Sequence, residues 1–205
     1  MADLIPEDAK LVAHLGLGID LLDVSHLLPT GPKKWSGRRP GGLESVRHLF
    51  AHHSGALGRP GFDGLFRSAR FVTRSRNFPT VAYAWWLPME DVRGPDGRRV
   101  MFQALHPETR GWHTGRKAND TGEAVCFQGN TSKHGVSKHQ EECWEAFVPY
   151  WALTRGRSMV EARAWLGWHA IGNRWGGRAK KACPGRNAER FVRDYVERAS
   201  MPEAA

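Results

Sequence analysis

Three side chains with the chemistry of zinc ligands lie far apart along this 205-residue chain. They are His52 in Leu49-Phe50-Ala51-His52-His53-Ser54, His169 in Trp168-His169, and Cys183 in Lys181-Ala182-Cys183-Pro184-Gly185. More than a hundred residues separate the first from the other two, so any fold that unites them must bring its early and late segments together. Two imidazoles and one thiolate leave the fourth position of a tetrahedral zinc ion open to water, the arrangement of catalytic rather than structural sites. His52 and His53 are adjacent, so on a strand they face opposite sides and one of them can reach a metal while the other packs or hydrogen-bonds. Lys181 and a helix start after Pro184-Gly185 both favour the Cys183 thiolate. The glycine-rich stretch 171–178 can close the fourteen-residue gap between His169 and Cys183.

The length suits one domain of ordinary size, and 40% hydrophobic with 25% charged residues are globular values. A Pro/Gly-rich basic loop at 29–42 separates an N-terminal extension, 1–42, from a main domain, 43–198, followed by a tail, 199–205. The extension is expected to pack on the domain through its leucines, with a short helix or extended arm over 5–18. The pattern of apolar residues predicts strands over 45–52, 80–87, 98–104 and 123–128. It predicts helices over 64–75, capped by Asp63, and over 137–152, 159–166 and 187–199. Strands clustered with helices around them imply an α/β or α+β sheet domain.

A formal net charge of +9 implies attraction to polyanions, whether nucleic acid, an anionic wall or a membrane surface. The basic residues are scattered over Lys33-Lys34, Arg38-Arg39, Arg67 to Arg76 and Arg178 to Lys181 rather than gathered in one tail. Three cysteines do not make a disulfide framework in a chain this long. The acidic N-terminus is unlike a signal peptide, and no apolar run is long enough to span a membrane. Synthesis in the cytoplasm is therefore expected, with another exit route for any extracellular target. Nine tryptophans read first as core and surface packing, and second as platforms for a sugar or peptide in an open groove.

Taken together, Ala51-His52-His53-Ser54, Val81-Ala82-Tyr83, Trp112-His113-Thr114-Gly115, Ala124 to Asn130, and His169 with Lys181-Ala182-Cys183-Pro184-Gly185 resemble a known pattern. These five pieces occur in the order seen in the zinc-dependent N-acetylmuramoyl-L-alanine amidases, which include phage lysozyme-type amidases and the peptidoglycan-recognition proteins. The resemblance covers roughly residues 43–198. It implies a single α/β domain with a central mixed β-sheet flanked by helices. It also implies zinc held by His52, His169 and Cys183, with Tyr83 near the attacking water and Lys181 stabilising the oxyanion. Trp112, His113 and His53 are carried over as substrate-binding residues. Three positions depart from the family: Ala84 follows Tyr83 where histidine is common, the loop from His169 to Cys183 is longer, and Cys126 replaces a glutamate base used in one branch.

The implied reaction is hydrolysis of the amide between N-acetylmuramic acid and L-alanine of the stem peptide. Bacterial peptidoglycan is the expected partner, with no nucleic acid and no membrane insertion, and the chain is expected to be monomeric. The absence of a signal peptide suits a phage endolysin released onto the host wall. It also suits a cytoplasmic muropeptide-recycling amidase, but intact wall is anionic and fits the positive charge better. Two further readings are a non-catalytic wall-binding module and a basic zinc nuclease or nucleic-acid binder; the retained Cys183, Tyr83 and Lys181 favour the enzyme over the former.

Overall fold

The computed structural model describes residues 5–32, 37–55, 59–115, 117–170 and 183–198. At its centre is a seven-stranded mixed sheet, built from β1 (Lys10–Leu15), β2 (Ile19–Asp23), β3 (His48–His53), β4 (Trp85–Leu87), β5 (Arg99–Gln103), β6 (Gly122–Phe127) and β7 (Leu166–Trp168). In space the strands run β1-β2-β5-β4-β6-β3-β7. The β4, β6, β3 and β7 strands are parallel to one another, whereas β4 pairs antiparallel with β5 and β1 antiparallel with β2. The expected α/β class and central mixed sheet are thus observed.

Helices cover both faces: α1 (Gly61–Ser75), α2 (Ala118–Thr121), α3 (Thr131–His134), α4 (Lys138–Thr154), α5 (Met159–Ala164) and α6 (Arg186–Arg198). Side chains alternate along a strand, so β6 sends Glu123, Val125 and Phe127 one way and Ala124 and Cys126 the other. The Phe127 ring stacks on Trp144 of α4 at 5.6 Å and meets Phe191 of α6, which places α4 and α6 on that face. Phe62 of α1 meets Phe102 at 6.3 Å. Phe102 stands opposite Trp86, which stands opposite Cys126, itself in register with His52, so α1 shares the face of His52 and Cys126.

The four expected strands and four expected helices all occur, some with shifted ends. The helix expected from 64 begins at Gly61 with Pro60 as its N-cap, and Asp63 sits inside the first turn without capping it. Asp63 pairs instead with Arg67 one turn on. The α4 start is closed by a capping box between Ser137 and Gln140, the reciprocal arrangement that satisfies two amides at once. The strand expected over 80–87 is regular only at its end. Of the two conformations expected over 5–18, the extended arm is the one observed: Leu11 and Leu15 lie in β1 and Leu21 and Leu22 in β2, with Leu17 in a one-turn 3-10 helix between them. Residues of β1 are mostly exposed, as suits a sheet edge, while the start of β2 is buried on both faces, so neither shows the alternation that marks a half-buried strand. A three-residue β7 is too short to carry a period at all.

Candidate metal centre

His52 is the fifth residue of β3 and is buried, 1% exposed. The strand's alternation carries His53 to the other face, where its Nδ1 lies 3.4 Å from the Thr131 hydroxyl. β7 pairs with β3 on the side away from β6, and His169 follows directly on its last residue, Trp168. The His52 and His169 rings therefore stand 4.7 Å apart between centroids.

Cys183 arrives from a segment docked on α3. The Thr131 hydroxyl donates to the Pro184 carbonyl, and the Asn187 side-chain amide donates to the Thr131 carbonyl at 2.7 Å. Gly185 adopts φ +89°, and a Cβ there would meet the Ser132 hydroxyl at 2.2 Å, so this close approach requires glycine. The Ala170 amide donates to the Cys183 carbonyl at 3.1 Å, fastening the segment beside His169.

One ligand atom from each of His52, His169 and Cys183 lies within 4.8 Å of the other two. The Cys183 sulfur is 3.6 Å from His52 Nδ1. A tetrahedral zinc with Zn–N near 2.0 Å and Zn–S near 2.3 Å separates its nitrogen and sulfur ligands by about 3.5 Å. Two imidazoles and a thiol at this spacing therefore fit zinc in donor chemistry and in size. Lys181 and the 171–180 stretch lie outside the described residues.

Tyr83 comes from the segment that enters β4, and its ring lies 5.3 Å from that of His52. Burial, reinforced by the neighbouring Cys126 and Cys183 thiols, pushes its phenol well above the usual range, so it stays protonated and able to donate. Cys126, where one branch of the resembled family carries glutamate, is fully buried on this face, and burial likewise pushes its thiol up.

His113 crosses His52 edge to face at 5.3 Å. It is 7% exposed, and burial lowers its pKa to about 3 despite the opposing hydrogen bond to the Gly122 carbonyl; the Arg39 and His169 charges lower it further. The neutral ring donates from Nε2 to that carbonyl at 3.2 Å, which fixes the tautomer and leaves Nδ1 as an acceptor. Trp112, next along, turns its ring toward Phe78 at 5.9 Å. The structure thus gathers His52, His169, Cys183, Tyr83 and His113 and places His53 on the opposite face.

Two supporting residues were not singled out in the sequence. The Asn119 side-chain oxygen accepts from the amides of His113, Thr114 and Gly115 and from the Thr114 hydroxyl, at 2.9 to 3.3 Å. Arg39, 2% exposed, donates to the carbonyls of Thr109, Asn119, Asp120 and Gly122. One residue fills the loop from inside and the other ties its two ends together. An asparagine following a Thr-Gly turn was the available signal, since Asn side chains commonly satisfy local amides.

No protein-family model and no curated protein matches the chain. Solved structures do. The ectodomain complex of peptidoglycan recognition proteins LCa and LCx bound to tracheal cytotoxin superposes with a TM-score of 0.63 at 12% identity, over 85% of this chain and 95% of that one. An N-acetylmuramoyl-L-alanine amidase from Clostridium intestinale gives 0.54 at 13% identity, over 87% and 95%. The endolysin of a Thermus scotoductus bacteriophage gives 0.55 at 15% identity, over 86% and 98%. The fold is that of the peptidoglycan-recognition and amidase proteins.

Proposed function

We propose that this chain is a zinc-dependent N-acetylmuramoyl-L-alanine amidase that cleaves the bond between N-acetylmuramic acid and L-alanine of peptidoglycan, acting as an endolysin on a host wall. The observation that carries the reading is the convergence of His52, His169 and Cys183 with a nitrogen–sulfur spacing of 3.6 Å in a fold shared with amidases and endolysins. The cofactor would be Zn2+, held by those three side chains. Bound there, zinc supplies Lewis acidity toward the scissile carbonyl and acidifies water at neutral pH.

The remaining roles fall to the chain itself. Tyr83, kept protonated by burial, orients the attacking water or passes a proton on. Neutral His113 offers its Nδ1 lone pair to a substrate donor, and Trp112 is assigned to the peptidoglycan on the sequence resemblance, whereas His53, carried over with it, faces Thr131 on the other side of the sheet. Lys181, two residues before Cys183, balances the oxyanion charge. Several solved relatives are recognition proteins, so binding without cleavage is the competing reading; the retained thiol of Cys183 argues for the enzyme. No helix among the described residues is long and apolar enough to cross a membrane.

Zinc analysis combined with mass spectrometry of digested peptidoglycan tests metal and bond together. Stoichiometric zinc and release of glycan chains bearing free lactyl groups are expected. His52→Ala, His169→Ala and Cys183→Ser should each remove both zinc and lysis. Wall binding with intact stem peptides would establish the non-catalytic reading instead.

A further inference from the structure

The outward face of α1 is a cationic surface that the metal centre does not use. Its inward residues Leu65, Ala69 and Thr73 are buried on the sheet. Arg67, Arg70 and Arg74 stand on the opposite side, three and four residues apart, and so form a stripe about 10 Å long. Arg59 and Arg76 flank it. Asp63 is the one acid in residues 59–76, and it is shared between Arg59 at 3.6 Å and Arg67 at 3.2 Å. Arg70 and Arg74 have no ion-pair partner among the described residues. The stripe lines an open groove of 370 Å³ with Phe66 and Phe71.

Five guanidinium groups against one carboxylate repel one another in the free protein, and a polyanion relieves that repulsion. Guanidinium forks match phosphate oxygens, and their spacing along a helix suits a linear ligand with repeated phosphates. A bilayer is a poor match, because α1 spends its apolar face on the core and a helix that lies in a membrane interface needs that face free. Phe71, 53% exposed, is the one large apolar side chain that α1 leaves exposed. Single-stranded nucleic acid is also disfavoured: sequence-tolerant strand binding relies on open aromatic platforms, and the Arg76 guanidinium already lies over the Phe71 ring, 5.6 Å from its centroid.

We propose that this face of α1 binds a linear polyol-phosphate polymer of the bacterial wall, with Arg67, Arg70 and Arg74 on successive phosphates and Phe66 against its carbon skeleton. The wall as the source of the polymer rests on the proposed function; the phosphate chemistry does not. Such an attachment holds the protein at the wall between cleavage events.

The test is titration of the full chain with a purified, deacylated glycerol-phosphate polymer, in the absence of peptidoglycan, at a series of salt concentrations. Arg70→Gln/Arg74→Gln should weaken binding roughly tenfold or more near 50 mM salt and flatten the log–log salt slope by about 1.4, because each phosphate of a flexible strand that a cation neutralises adds ~0.7 to it. Arg70→Lys/Arg74→Lys should keep the slope. Both positions are exposed, and matching thermal unfolding of the variants and parent excludes a folding defect. Cleavage of a small soluble muropeptide, measured separately, should be unchanged, so loss of polymer binding and loss of amidase activity are read independently. An unchanged affinity and slope in the Gln variant overturns the proposal. So does tighter, equally Arg70/Arg74-dependent binding to single- or double-stranded DNA of matched phosphate number, or binding seen only with anionic phospholipid vesicles.

Discussion

Glu123 anchors a buried polar cluster beneath the sheet, and its removal should cost stability without touching the metal centre. Its side chain is fully buried and accepts from the indole nitrogens of Trp151 at 2.7 Å and Trp85 at 3.3 Å. Arg155, whose side chain is 3% exposed, donates to the other oxygen at 2.7 Å. Glu123→Gln keeps an acceptor for the indoles but strands the guanidinium in a site closed to water. Breaking one side of a buried ion pair costs about 3–5 kcal/mol. Glu123→Gln/Arg155→Met removes both charges and should recover all but about 1–2 kcal/mol, since no buried charge is then left unpaired and only the Gln amide remains to be desolvated. Urea unfolding at pH 7, with m-values compared to confirm a common unfolded state, measures all three proteins. A single variant within about 1 kcal/mol of the parent, or a double variant no more stable than the single, would refute the reasoning. Glu123 and His52 lie on opposite faces of the sheet, so zinc content should stay the same in every variant; a parallel loss of zinc would show the two faces to be coupled.

Asn119→Leu leaves three loop amides and a hydroxyl without their acceptor and should destabilise the fold by about 2–4 kcal/mol, whereas Asn119→Asp retains the oxygen and should recover most of it; chemical denaturation of the pair decides. His48 is held near pKa 4, chiefly by burial and secondarily by Arg47, against 6.5 in the unfolded chain. The unfolded state therefore takes up a proton that the native state refuses, so stability is complete above about pH 6.5 and falls by about 3 kcal/mol as the pH drops to 4. Unfolding free energies across that window, flattened in His48→Leu, check the sign and the size.

The central strands and the long helices were legible because burial imposes a period on them. β3 and β6 are apolar runs ending in turn residues, and α1, α4 and α6 repeat at helical spacing. β1, β2 and β7 were not legible, for a reason common to all three: edge exposure, burial on both faces or extreme shortness erases alternation. The three residues of the candidate metal centre could be named from residue type and order, because few side chains can serve as metal donors. The residues that hold them in place could not. Thr131 and Gly185 fasten Cys183 through a backbone carbonyl and a close approach, and Arg39 reaches backbone carbonyls some 70 to 83 residues away. Such interactions leave no local pattern, since any carbonyl serves as an acceptor.

The sequence distance between His52 and the pair His169 and Cys183 is resolved by strand order rather than by any long excursion of the chain. β3 lies between β6 and β7 and runs parallel to both, so the carboxyl ends of all three strands open on the same edge. His52 stands near the end of β3, Cys126 near the end of β6, and His169 just past the end of β7. In parallel sheets ligands commonly collect outside these carboxyl ends, where the chain leaves the sheet and loops are free to diverge. α3, which follows β6, then supplies the surface on which Cys183 docks. A candidate donor set spread over more than a hundred residues of sequence is thus a set of neighbours in the fold. The prerequisite is the pairing of the short β7 with β3: without Leu49 opposite Leu166 and Ala51 opposite Trp168, His169 would have no fixed position beside His52.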